Sequence, residues 1–184
     1  MLPQILHQLD YSERLLVYFS GSITTTQSTK TYTAASIGVG LVAGDTIVVA
    51  GMAQSASNGT KTIATVTAGN GSFTVVEAIG TNETASGTFN QEYIGGWQEV
   101  NKWVRLNIVA NYSGNAVGYI DFSGTTGVPG TTKNTDYTST AAITGGTAYA
   151  LAAENVMRYA RMRILNNGAT QTIARSYLFG KTTT

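Results

Sequence analysis

The sequence predicts an all-β protein made of two small antiparallel domains. The first is a β-barrel or sandwich and the second a jelly-roll-like β-sandwich, preceded by a short N-terminal helix or arm. Three observations predict this. About one residue in six is Thr, with 10 Tyr and 21 Gly among 184 residues, a bias toward strands and tight turns. Short apolar runs are separated by Asn-Gly and Gly-rich clusters at hairpin spacing. Charged residues make up 11% of the chain, well under the ~25% usual in globular domains, while 42% is hydrophobic, enough for a packed core.

Taken in order, residues 1–14 form the N-terminal helix or arm, because Leu2, Ile5, Leu6 and Leu9 fall at helical spacing. A helix this short is marginal in water, so its apolar stripe needs a surface to lean on. Residues 15–93 form the first β domain. Leu15-Leu16-Val17-Tyr18-Phe19 opens it, Thr46-Ile47-Val48-Val49 follows Gly44-Asp45, and Ser57-Asn58-Gly59 turns into Thr62-Ile63-Ala64-Thr65-Val66. Ala68-Gly69-Asn70-Gly71 then turns into Phe73-Thr74-Val75-Val76, since Asn and Gly accept the positive φ that tight turns need. The Gly95-Gly96 pair marks the boundary, and residues 94–184 form the second domain. Strands are expected at 103–109, 117–122, 141–151 (a pair about Gly145-Gly146), 158–165 and 171–179, with 125–139 a surface loop. In 158–165, Ala160, Met162 and Ile164 face one way, and Tyr159, Arg161 and Arg163 the other.

Composition excludes much chemistry. With no Cys there is no disulfide, zinc ribbon, iron–sulfur site or thiol nucleophile. A Ser-His-Asp triad needs a positioned His, and the one His, His7, sits in the N-terminal segment. No catalytic, cofactor or metal residue is therefore assigned. Asp121, Asp136 and Glu154 lie in no calcium-loop pattern. Glu77, Glu83, Glu92 and Glu99 supply glycosidase carboxylates by count alone. A formal net charge of +1 argues against nucleic acid as a partner. The most apolar window, 37–53, is broken by Asp45 and four glycines, which argues against a membrane span. No secretory signal is expected either, since residues 1–10 hold no Lys or Arg and no long apolar run.

Protein contact is the expectation that remains. A thinly charged surface suits a subunit covered by neighbours. Residues 1–99 carry seven acids and three bases, net −4, and residues 100–184 three acids and eight bases, net +5, an asymmetry suited to attraction within one chain or between copies. The candidate interface residues are Leu2, Ile5, Leu6, Leu9, Trp97, Trp103, Arg105, Arg161 and Arg163, as Trp and Arg are enriched where proteins bind most tightly.

Two stretches resemble known families. Residues 44–77, from Gly-Asp-Thr-Ile-Val-Val through Asn-Gly-Thr-Lys-Thr-Ile-Ala to Ser-Phe-Thr-Val-Val-Glu, resemble small β modules of bacteriophage tail and baseplate proteins. In the second half, Val104-Arg105-Leu106-Asn107-Ile108-Val109-Ala110 with Ser113-Gly114, Gly118-Tyr119-Ile120-Asp121-Phe122-Ser123, and Arg158-Tyr159-Ala160-Arg161-Met162-Arg163-Ile164-Leu165-Asn166-Asn167-Gly168 occur in that order. With the closing strand they are similar to a β-sandwich module of phage fibre, baseplate and capsid-decoration proteins. The usual short Asp-Gly loop is replaced here by residues 124–134. The resemblance implies a non-enzymatic virion protein, a trimer or higher homo-oligomer docked on other virion proteins. A carbohydrate-binding host-adhesion module, with Trp97 and Trp103 stacking on a surface glycan, is the alternative. A surface-polysaccharide hydrolase is a third reading.

Overall fold

The computed structural model describes residues 6–14, 16–67, 69–101, 105–111, 114–125, 129, 137–144, 148–154, 157–167 and 174–181. Fourteen strands occur among them, with two single-turn 3-10 segments and no α-helix. The chain divides into two units, one comprising Leu15–Tyr93 and Asn166–Gln171, the other Met1–Arg14, Ile94–Leu165 and Thr172–Thr184. Residues 6–14 group with the second unit.

The first unit is a closed antiparallel barrel. Its strands are β2 (Tyr18–Thr26), β3 (Thr31–Thr33), β4 (Thr46–Ala50), β5 (Gly59–Val66), β6 (Ser72–Val75) and β7 (Glu83–Ile94). They run in the order β7-β2-β3-β6-β5-β4, and β4 pairs back onto β7, so no edge is left open. Alternate residues point inward, as the period of two dictates. Ile23, Tyr32, Ile47, Val49, Ile63, Phe73, Val75 and Phe89 form the core with Ile37, Leu41, Met52 and Ile79. Outward-facing threonines pair across strands, Thr24 with Thr84 at 2.9 Å and Thr65 with Thr74 at 2.7 Å. The turn between β5 and β6 uses the positive φ expected of it, 88° at Gly69 and 57° at Asn70. Gly87 is required by space, since a Cβ there would lie 2.8 Å from Met52 Sδ and 3.1 Å from Ile23 Cδ1.

One buried hydroxyl closes an end of the barrel: Tyr32 Oη donates to Ser57 O at 2.7 Å. Burial, and then the charges of Glu83 and Glu77, push this phenol well above its ordinary range, so it stays protonated and donating. Tyr32→Phe is expected to cost about 1–3 kcal/mol, the penalty of a buried carbonyl left without its donor. A lower urea midpoint at unchanged slope is the expected reading.

The second unit is sandwich-like and contains β1 (Leu6–Arg14), β8 (Gln98–Glu99), β9 (Arg105–Asn111), β10 (Ala116–Ser123), β11 (Tyr137–Ile143), β12 (Ala148–Glu154), β13 (Tyr159–Asn166) and β14 (Ala174–Lys181). One sheet has the order β1-β14-β9-β12. Within this unit the other runs β11-β10-β13, with β8 paired to β13. The chain passes from one sheet to the other between β11 and β12. Leu106, Ile108, Ile120, Phe122, Ile143, Ala160, Met162, Ile164 and Leu178 are all buried.

The expected N-terminal helix is corrected by β1. Residues 6–14 pair antiparallel with β14, from Leu6↔Lys181 to Arg14↔Ala174, with a bulge between Gln8 and Asp10. Four apolar residues at helical spacing cannot stabilise so short a helix, whereas the open edge of β14 supplies a ladder for its backbone. Leu6 and Leu9 therefore lie on a strand, and Leu2 and Ile5 lie outside the described residues. The expected loop 125–139 also gives up its end, because β11 begins at Tyr137.

Candidate functional site

The densest polar chemistry in the second unit is a buried carboxylate clasped by two arginines. Arg161 and Arg163 are two apart on β13 and so share a face. Asp121 lies on β10, the neighbouring strand, with Thr138 of β11 as its registered partner. Asp121 Oδ2 accepts from Arg161 Nε at 3.1 Å and from Arg163 Nε, and its Oδ1 accepts from Arg163 Nη2 at 3.0 Å and Thr138 Oγ1 at 2.9 Å. Arg163 thus grips both carboxylate oxygens through its planar fork. The side chains of Asp121 and Arg161 are 0% and 2% exposed.

Aromatic rings complete the cluster. Gly95 N donates to Met162 O and Val100 N to Arg158 O, which fastens the 95–100 segment along β13. That places the Trp97 ring against Arg161, whose guanidinium carbon is 4.4 Å from the ring centroid. Tyr119, two residues before Asp121, holds the Arg163 guanidinium in the same way at 4.3 Å. Both contacts join a cation to the electron-rich ring face. Arg161 Nη2 is buried and has no hydrogen-bond partner among the described residues.

Burial works to raise the Asp121 carboxyl. The bonds and charge of Arg163, with the bonds from Thr138 and Arg161, outweigh it and hold the group below the usual carboxylate range. A carboxylate accepting four hydrogen bonds is a poor base. The geometry makes this cluster a clamp that ties β10, β11, β13 and the 95–100 segment together.

The barrel has its own polar ties, gathered at one end. Lys61 Nζ donates to Ala56 O at 2.7 Å and Ala78 O at 3.2 Å. Burial lowers its ammonium, and Glu77 pulls the other way. Glu77 accepts from Thr62 N and Thr62 Oγ1, both at 2.8 Å, and Glu83 from Ala53 N at 2.8 Å and Gln54 N at 3.1 Å. Three of the carboxylates counted as glycosidase candidates are accounted for this way, since Glu99 pairs with Arg158 at 3.0 Å on the surface. Among the described residues no group of three His, Asp or Glu is placed to hold a metal ion.

Of the expected interface residues, Trp97, Arg105, Arg161 and Arg163 have side chains that the structure describes. Arg161 and Arg163, expected on a contact face, are buried and bound to Asp121; both faces of β13 are covered, so alternation on that strand does not separate inside from outside. Trp97 is half-buried with a guanidinium on its ring, which removes a face a sugar would stack on. Arg105 is exposed on β9, in register with Glu154 and Lys181. Trp103 lies outside the described residues. Sequence reasoning missed Asp121 as the hub; the available signal was one acid in the apolar strand Gly118-Tyr119-Ile120-Asp121-Phe122 and two bases in another.

No protein-family model matches the chain, and no curated protein matches its sequence.

Proposed function

We propose that this protein is a non-enzymatic structural component of a bacteriophage or phage-like particle, working as a homo-oligomer that docks on other virion proteins. One observation carries the reading: the two edge strands β11 and β12 are almost free of charge. Their sequences, YTSTAAI and AYALAAE, hold one charged residue between them, Glu154. An isolated protein guards such edges with charge or proline, whereas a subunit leaves them for its neighbours. The low charge of the whole chain points the same way, and so does the resemblance of residues 97–180 to virion β-sandwich modules. In this reading the Asp121 clamp keeps the sandwich rigid while its margin makes contacts.

Light scattering on the purified chain at micromolar concentration tests the proposal. The expected result is a trimer or larger assembly. A monodisperse monomer would overturn it.

A further inference from the structure

The two ends of one sheet are built differently. At one end, β1 carries Asp10, Glu13 and Arg14 and a bulge between Gln8 and Asp10. Charges and bulges are the devices that stop a sheet edge from accepting another strand. At the other end, β12 pairs with β9 over all seven residues, Ala148↔Asn111 to Glu154↔Arg105, with no register shift. Among the described residues no strand takes its second edge. Its sequence has no Pro and no Lys, and six of its seven residues are apolar. The unguarded edge of β11 has Thr138, Ser139 and Thr140 instead, and Thr138 is engaged by Asp121.

We propose that β12 pairs antiparallel with β12 of a second copy about a two-fold axis at Leu151, so that the four-stranded sheet continues as eight strands across two copies. This inference rests on the assembly reading above and names the contact. Strand addition gains its affinity from main-chain hydrogen bonds, which an open regular edge offers at once. The sequence suits itself as partner. Pairing about Leu151 sets Tyr149 opposite Ala153 and Ala150 opposite Ala152, so the large side chain meets a small one. Glu154 falls opposite Ala148, which leaves the two glutamates about 20 Å apart at ~3.4 Å per residue. A two-fold pairing is closed, so it adds one copy and stops, without growing a fibre. Larger assemblies then use this dimer as their unit, so their copy number is even, a tetramer or hexamer, and a trimer overturns this contact.

Cysteine scanning tests the register. The chain contains no Cys, so a single introduced thiol reports on its own position alone. Full-length Tyr149→Cys, Ala150→Cys, Leu151→Cys, Ala152→Cys and Ala153→Cys variants are oxidised with diamide and run on non-reducing gels. Cross-linked dimer is expected to peak at Leu151→Cys and to fall at least several-fold at Tyr149→Cys and Ala153→Cys. Equal cross-linking at all five, or none at any, overturns the two-fold pairing. Light scattering on Leu151→Lys gives a second reading: a folded variant whose mass falls by half or more supports the contact, and an unchanged mass sinks it. The unmodified chain separates the two proposals. If it is a monomer, both fail; if it is an oligomer without β12 cross-links, the assembly reading stands and this contact does not.

Discussion

Asp121→Ala is expected to destabilise the sandwich unit by about 3–5 kcal/mol, the cost of leaving a buried charge without its partner. The change strands two guanidinium groups at once, since Arg161 and Arg163 share this carboxylate and both are buried. Domain stabilities are commonly ~5–15 kcal/mol in total, so the variant should be largely unfolded in mild urea. Trp97 rests on Arg161, and in a Trp103→Phe background its fluorescence should report the loss directly. Asp121→Asn keeps an oxygen acceptor and the shape but not the charge, so its loss should be smaller. Removing the exposed partner in Arg158→Ala should change stability by less than about 1 kcal/mol, because its pair with Glu99 is open to solvent.

The same group sets the acid limit. Its folded carboxyl titrates below the unfolded value of about 3.9. The stability it contributes is therefore fully present above about pH 4 and is lost as pH falls through the lower folded value. Glu77 acts with the same sign: burial works to raise it, and the bonds from Thr62 hold it low. Acid unfolding followed by Trp97 fluorescence in the same Trp103→Phe background should begin below about pH 4, and its pH dependence should flatten in Asp121→Asn. An unchanged acid transition in that variant would remove the clamp from the account.

In the barrel unit the largest loss is expected from Phe73→Ala, about 3–5 kcal/mol for a buried aromatic cut back to a methyl. Phe73 is fully buried on β6, a strand of four residues, and its ring joins two others. It stacks on Tyr32 with centroids 5.3 Å apart and meets Phe89 edge-on at 5.7 Å. Phe89 in turn stacks on Phe19 at 5.6 Å. The deletion leaves a cavity where three strands converge and removes two ring contacts, each worth ~0.5–1.5 kcal/mol beyond area. Thr74→Ala, one residue on and facing outward, should stay within about 0.5 kcal/mol, although it loses the Thr65 bond. Urea titrations of the two variants side by side measure the contrast; equal midpoints would mean that the ring cluster does not hold the barrel.

The barrel was readable because its signals are local. Gly69 and Asn70 must adopt positive φ, and Ile47, Val49, Ile63, Phe73 and Val75 take alternate, inward-facing positions along their own strands. Each of those choices is made by neighbours a few residues away. The candidate site was legible only as a set of residue types. Arg161, Arg163 and Trp97 stood out by sequence, but Asp121 forty residues upstream decides that the arginines face inward and hold strands together.

Composition and turn chemistry were enough to establish an all-β chain, since strand propensity and tight turns are properties of short segments. Whether residues 6–14 coil or extend, which charges are buried, and which sheet edge stays open depended on partners far along the chain: Ala174–Lys181 for β1, Asp121 for the arginines, β9 for β12. A backbone donor or a buried charge takes the partner that satisfies it most fully, and in this fold that partner lies across the sheet.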